Sequence, residues 1–136
     1  SMAAKLAHPN KEVVCLYGDG SFGMTAFDME TAQRFGAPYL AVVGNNSAMN
    51  QIRYGQISKY GSQRGGVGNK LGDVDFSLFG KMIGGYGEEV REASQIQPAL
   101  LRAREAIAKT GKCAVVNVWV DPNEYAPGTK AQTMYK

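Results

Sequence analysis

Unbroken apolar runs, not alternating ones, punctuate this chain. Residues 12–17, Glu-Val-Val-Cys-Leu-Tyr, are β-branched and apolar without a period of two, and they stop abruptly at Gly18-Asp19-Gly20. That is the pattern of a strand covered on both faces. Residues 39–43, Tyr-Leu-Ala-Val-Val, repeat it and stop at Gly44-Asn45-Asn46. Between the two runs, Ala26, Phe27, Met29, Ala32 and Phe35 fall on one stripe of a helix predicted over 25–35, with Gly36-Ala37-Pro38 as its stop. The unit is strand, helix, strand. A parallel crossover of this kind brings both strand carboxyl ends to one sheet edge, where open α/β sheets bind their ligands. Asp19 and Asn46 are therefore expected to be neighbours.

Further along, a short helix is predicted over 48–56. Residues 57–72 are rich in Gly, Ser, Lys and Arg with no hydrophobic period, which predicts a mobile loop. Arg53, Lys59, Arg64 and Lys70 lie in or near it. They suit either a lid touching an acidic group, such as the phosphates of coenzyme A, or a solvated surface. Asp75 is placed to cap a helix carrying Phe76, Leu78, Phe79, Met82 and Ile83, closed by Gly84-Gly85. Residues 87–91 suit a short strand. Residues 98–109 read as a helix with Pro98 in its first turn and Gly111 past its end, and 113–120 as the last buried strand. Trp119, Phe76 and Phe79 are expected in the core. Residues 3–7 look like the last turns of a helix with no visible start. The element order predicts an α/β domain, three-layer α/β/α with a mostly parallel sheet, followed by a tail from Asp121.

Composition narrows the classes. At 136 residues and 44% hydrophobic content, the chain can bury one ordinary core. A net charge of only +3, with no basic stripe, argues against nucleic acid as a partner. No apolar run is long enough to span a bilayer and no secretory pattern opens the chain, so a soluble, cytoplasmic protein is expected. Cys15 and Cys113 sit in strand-like runs, where a thiol acts as a small buried hydrophobe and not as part of a disulfide framework. His8, beside Pro9 after a helix end, is expected to be an exposed cap with no catalytic role. The 17 glycines are the outlier, and most lie where apolar runs end. A backbone that must approach a ligand has that distribution.

The chemistry concentrates in Gly18-Asp19-Gly20-Ser21 and Asn45-Asn46, with Asp19 and Asn46 27 positions apart across the predicted helix. A carboxylate and an amide oxygen on neighbouring strand ends are two hard ligands of the type Mg²⁺ prefers. A backbone carbonyl just beyond Asn46, such as that of Ala48, can supply a third. Mg²⁺ completes its shell with phosphate oxygens and water, so so few protein charges call for a diphosphate. Gly20 and Gly23 let the backbone come close to it, Ser21 can donate its hydroxyl, and the following helix presents free N–H groups.

These two motifs at this spacing resemble the signature of thiamine diphosphate (ThDP) enzymes. Gly-Asp-Gly-Ser-Phe-Gly-Met-Thr, Ala-Pro-Tyr-Leu-Ala-Val-Val-Gly-Asn-Asn, and Val-Asp-Phe followed by Gly-Gly-Tyr-Gly resemble the acetolactate synthase and 2-hydroxyacyl-CoA lyase branch, over essentially the whole chain. The resemblance implies that residues 1–136 are the carboxyl-terminal, diphosphate-binding domain, with ThDP and Mg²⁺ as cofactors. Asp19, Asn46 and the Ala48 carbonyl would hold Mg²⁺, Gly18, Gly20 and Ser21 would lie at the diphosphate, and Met49 and Asn50 would approach the reactive side. It further implies a small-molecule 2-keto acid or acyl-CoA substrate and a homodimer or homotetramer as the full-length protein. The family's activating glutamate comes from a pyrimidine-binding domain of the partner subunit, and no segment here resembles that domain. The bulky residue that bends the cofactor also lies upstream. The pyrimidine-binding and middle domains are thus expected to be absent, the isolated chain to be inactive, and FAD to be possible but not inferable. Ser47 and Ala48 stand where several acetolactate synthases carry acidic residues. The leading expectation is acetolactate-synthase-like carboligation of 2-keto acids. The alternatives are 2-hydroxyacyl-CoA or oxalyl-CoA lysis and, from another class, a non-catalytic binding or assembly fragment. Residues 126–136 resemble the family's arm over the active site, with a frayed terminus as the alternative reading.

Overall fold

The structure, a computed structural model, describes residues 1–123. The expected arm over 126–136 lies outside the described residues. Four strands, β1 (Val14–Gly18), β2 (Leu40–Asn45), β3 (Tyr86–Val90) and β4 (Ala114–Trp119), form one sheet in the order β1-β2-β4-β3. Every neighbouring pair is parallel, with Gly18 opposite Gly44 and Asn45 opposite Trp119. The helices are α1 (Met2–Ala7), α2 (Asp19–Thr25), α3 (Asp28–Arg34), α4 (Asn50–Tyr60), α5 (Ser62–Gly65), α6 (Ser77–Met82) and α7 (Ala93–Thr110).

The sheet is sandwiched, giving the expected three-layer α/β/α domain. On one face Phe22, Met29 and Ala32 of α2 and α3 pack on Val43 and Val115, with Phe76 and Phe79 against them. Phe22 is the hub, edge-on to Tyr17, Phe76 and Phe79 at centroid distances of 5.3, 5.4 and 5.7 Å. On the other face Ala99 and Ala103, one turn apart on α7, let that helix settle onto Leu40, Val90, Ala114 and Val116. Each of these fully buried valines is worth roughly 1.5–3 kcal/mol. Helix α6 approaches β3 even more closely, because glycines remove the side chains between them. A Cβ at Gly87 would stand 1.9 Å from the Ser77 carbonyl oxygen, and one at Gly80 would stand 2.2 Å from that of Tyr86.

Several expectations need correction. The helix predicted over 25–35 is α3, from Asp28 to Arg34, and a separate helix, α2, precedes it, beginning at Asp19 directly after β1. Gly20, Ser21 and Gly23 hid it, since their propensity is poor, but Phe22 at 1% exposure supplies the tertiary packing that overrides propensity. The strand expected to be covered on both faces is covered on one. Helix α7 lies over β2, β4 and β3, leaving Val14 and Leu16 of β1 at 52% and 78% exposure. Helix α7 starts at Ala93, so Pro98 sits inside it. The Gln95 side-chain oxygen accepts the Glu92 N–H at 3.3 Å and sets the earlier start. Trp119 is not core. It stands half-buried where β4 passes the end of its covering helices, its indole N–H donating to Glu89 at 2.6 Å and its ring under the Arg91 guanidinium at 4.9 Å. Cys113 is buried but Cys15, on the edge strand, is only partly so, and both are free thiols. His8 is an exposed cap at the end of α1.

The largest correction concerns 57–72. Helix α4 runs on to Tyr60, α5 follows, and Lys70 forms an antiparallel bridge with Ala48. Asn69, 5% exposed, anchors the segment by donating to the Gln56 side chain at 2.7 Å and the Gly65 carbonyl at 2.9 Å. Polar and backbone contacts hold this segment, so it shows no hydrophobic period.

Arg102 of α7 grips Glu88 of β3 through both guanidinium arms, with Nε to Oε2 at 3.1 Å, and Tyr86 donates its hydroxyl to the same carboxylate. Hydrogen bonding from Arg102 holds the Glu88 carboxyl below the usual carboxylate range. A depressed folded-state value means that this contribution is complete above the unfolded carboxylate pKa of about 4.3 and fades as the pH falls through the folded value. The thermal-midpoint difference between wild type and Glu88→Gln is accordingly expected to be small, constant above about pH 5, and to shrink on acidification. Calorimetry across that range checks it. A gap that widened in acid would exclude the ion pair as its source. Among the described residues, no helix is long and apolar enough to cross a membrane.

Candidate functional site

Strands β1 and β2 end side by side, and each hands over to a helix at the same sheet edge. Gly18 leads straight into α2, while Asn46-Ser47-Ala48-Met49 turns into α4. Between them lies a cavity of about 230 Å³. Gly18, Asp19, Gly20, Ser21, Asn46, Ala48, Met49 and Asn50, all singled out from the sequence, line it, whereas Gly23, also expected beside the diphosphate, does not and faces the Phe76 ring instead. Gly44, Met24, Gln51 and Ile52 line it too and were missed. Gly44 had a signal, as the glycine ending the second apolar run opposite Gly18.

Asp19 forms the floor. It is 4% exposed, and its two oxygens accept the Gly20 N–H at 2.8 Å and the Ala48 N–H at 2.9 Å. The Asn46 side-chain oxygen accepts the same Ala48 N–H at 3.2 Å. One nitrogen thus gathers the carboxylate and the amide oxygen from neighbouring strands. No Lys or Arg forms an ion pair with Asp19 among the described residues. A carboxylate taken out of water costs several kcal/mol unless a positive partner compensates it, and two N–H dipoles compensate only in part. Asp19 and Asn46 bring one carboxylate and one amide oxygen to the cavity. Among the described residues no three His, Cys, Asp or Glu cluster as a metal site. Hard oxygens without thiolate or imidazole suit Mg²⁺ better than zinc.

The wall is shaped for close approach. A Cβ at Gly20 would fall 2.9 Å from Cγ of Met49, so only glycine lets that side chain lie against the first turn of α2. Asn50 donates its amide to the Pro122 carbonyl at 2.8 Å, as does the Tyr54 hydroxyl at 3.0 Å, which ties the chain leaving β4 to the start of α4. The Asn50 amide oxygen is buried with no hydrogen-bond partner among the described residues. Of the basic residues considered, Lys59 borders an adjoining groove of about 410 Å³ with Gln51, Ile52, Gly55, Gln56 and Tyr60. Arg64 and Lys70 are exposed, and Arg53 is half-buried, its Nε without a hydrogen-bond partner among the described residues. None of these three lines either cavity.

The family model described as "Thiamine pyrophosphate enzyme, C-terminal TPP binding domain" matches residues 1–118. The chain belongs to this family. A probable acetolactate synthase of Mycobacterium bovis is 33% identical over 127 residues, covering 93% of this chain and 22% of that protein. The 2-hydroxyacyl-CoA lyase 2 of Mus musculus is 29% identical over 130 residues, covering 95% and 20%. The sulfoacetaldehyde acetyltransferase of Alcaligenes xylosoxydans xylosoxydans is 31% identical over 117 residues, covering 86% and 19%. The chain thus spans about one fifth of the length of these relatives. The residues of this thiamine pyrophosphate domain fit their cofactor on structural grounds: the buried Asp19 carboxylate forms no ion pair among the described residues, and Gly18, where a Cβ would meet nothing within 4 Å, leaves the cavity wall beside it open.

Proposed function

We propose that this domain holds the Mg²⁺-diphosphate end of ThDP in an enzyme that makes or breaks a carbon–carbon bond next to a carbonyl. The carrying observation is the buried Asp19 carboxylate, which forms no ion pair among the described residues and shares the Ala48 N–H with Asn46. In this reading Asp19, Asn46 and the Ala48 carbonyl are the protein ligands of Mg²⁺. Gly18, Gly20 and Ser21 border the diphosphate, and Met49 and Asn50 stand toward the reactive end. When bound, the cofactor supplies the carbanion chemistry and stores the electrons released as the bond breaks. The chain's own residues bind and orient it, and the group that activates the pyrimidine lies outside these residues.

Acetolactate-synthase-like joining of 2-keto acids is our leading activity, supported by the similarity to the Mycobacterium bovis protein. The similarity to a 2-hydroxyacyl-CoA lyase favours a second reading, cleavage of a 2-hydroxyacyl-CoA or oxalyl-CoA-like thioester, with the groove beside Lys59 as room for the larger substrate. Product analysis on the whole protein in which these residues occur decides between them. Pyruvate is expected to give a carboligation product. Release of a coenzyme A thioester from a 2-hydroxyacyl-CoA would instead establish the second reading. We further propose a cytoplasmic homodimer or homotetramer for that protein. A non-catalytic assembly role would be supported if calorimetry showed no binding of ThDP with Mg²⁺ to the whole protein. The 136-residue chain alone is expected to bind the pair weakly or not at all, and tight binding by it would remove the need for a second domain.

A further inference from the structure

The turn from β2 into α4 is held in an unfavourable shape. Ser47 has φ +55°, the one non-glycine residue in the left-handed region among the described residues. Such a conformation persists only where its surroundings over-determine it. Here every polar group of Ser47 is engaged. Its N–H donates to the Asn45 side-chain oxygen at 3.1 Å, its carbonyl accepts the Leu71 N–H at 2.7 Å, and its hydroxyl donates to the Asp73 carboxylate at 2.6 Å. The flanking residues are held by the same stretch of chain. The Met49 N–H donates to the Asn69 carbonyl at 2.9 Å, and the Asn45 amide donates to the Val74 carbonyl at 2.7 Å and to the Asn117 side-chain oxygen at 3.0 Å. Asn45 and Asn117 are both fully buried. Residues 69–74 therefore grip the turn along its whole length.

What the grip controls is the Ser47–Ala48 peptide. Its N–H is the donor shared by Asp19 and Asn46, so its direction sets how the two oxygens face each other. If Ser47 relaxed to a right-handed or extended backbone, that peptide would turn and the Ala48 N–H would leave the Asp19 carboxylate.

We propose that residues 69–74 are a clamp that presets the cation-binding turn, with Asp73 as the positioning residue that holds Ser47 left-handed. The proposal rests on the reading of Asp19 and Asn46 as cation ligands. Asp73 does not touch the ion; it acts through Ser47, and Asn45 holds the preceding peptide by accepting the Ser47 N–H. Outer partners of this kind typically alter metal affinity by about 10- to 100-fold when removed, because the ligands must then be ordered at the moment of binding.

The test uses the whole protein in which these residues occur, with Mn²⁺ as the spectroscopic probe in the presence of ThDP and with amide exchange at Ala48 measured without metal. Asp73→Ala is expected to weaken Mn²⁺ binding by roughly tenfold and to speed Ala48 exchange, while the thermal midpoint changes little because Asp73 is exposed. Asp73→Asn keeps an acceptor for the Ser47 hydroxyl and is expected to stay near wild type. In the Asp73→Ala background, adding Ser47→Gly is expected to recover most of the affinity, since glycine takes a positive φ without an anchor. An Asp73→Ala protein with unchanged Mn²⁺ affinity and unchanged Ala48 exchange overturns the clamp, and so does failure of the glycine rescue. If the wild type takes up no Mn²⁺ with ThDP, the cation-site reading has failed. The exchange rate at Ala48 then judges by itself whether Asp73 holds the turn.

Discussion

Gly87→Ala is expected to destabilise the domain by about 3 kcal/mol, a fall of roughly 10 °C in thermal midpoint. The added methyl would lie 1.9 Å from the Ser77 carbonyl oxygen and 2.8 Å from its carbon, both backbone atoms of α6 that no rotamer change can move aside. Helix α6 must then lift from β3. It cannot do so alone, because Ser77 is 1% exposed and tied by its N–H and hydroxyl to Asp75, each at 2.9 Å, while Phe76 and Phe79 pack edge-on against Phe22. Lifting α6 therefore unpacks the aromatic cluster beneath α2, the helix that carries Asp19. Gly55→Ala is the contrasting control. Its Cβ would meet nothing within 4 Å in the middle of α4, and alanine there is expected to be neutral or to stabilise by up to about 1 kcal/mol. Urea denaturation of both variants reads the difference. Equal stability for the two would show that α6 does not rest backbone to backbone on β3.

The second large effect is on the cofactor. Asp19→Ala is expected to abolish Mg²⁺-dependent retention of ThDP in the whole protein, a loss of roughly 100-fold or more, because the hard cation loses the one carboxylate the turn offers it. Equilibrium binding with and without Mg²⁺ measures this. In the variant the two titrations should coincide, whereas a preserved Mg²⁺ dependence would remove Asp19 from the ligand set. The geometry explains why no neighbour can compensate. Asn46 carries no charge, Ala48 offers only backbone, and no three acidic, thiol or imidazole groups cluster anywhere among the described residues.

Asp73→Ala and Gly87→Ala separate two kinds of structural support. The first removes a polar anchor at the surface and is expected to act on binding with little effect on folding. The second forces two backbones apart and is expected to act on folding first.

Much of this arrangement is legible in the sequence alone. The two apolar runs ending in glycine predict β1 and β2 within a residue or two, although only β2 has the burial on both faces that consecutive apolar positions imply. Asp19 and Asn46 were predicted to meet because a parallel crossover leaves no other place for two consecutive strand ends. The same local signals misled where contacts are long-range. Residues 57–72 look structureless because Asn69, Gln56 and Gly65 hold them by polar bonds that leave no periodic trace. The early start of α2 was invisible because Phe22, buried among residues of poor helix propensity, is held by partners more than 50 positions away.

The chain's own pattern of apolar runs and glycine stops determined that there is a parallel sheet, which residues end its strands, and which of them meet. These are consequences of backbone geometry and burial, which act over a few residues at a time. Tertiary structure alone decided that β4 separates β2 from β3, that one face of β1 stays open, and that residues 69–74 hold Ser47 in its left-handed shape. Those outcomes depend on single hydrogen bonds and backbone contacts between distant segments, and such contacts carry no periodicity in sequence.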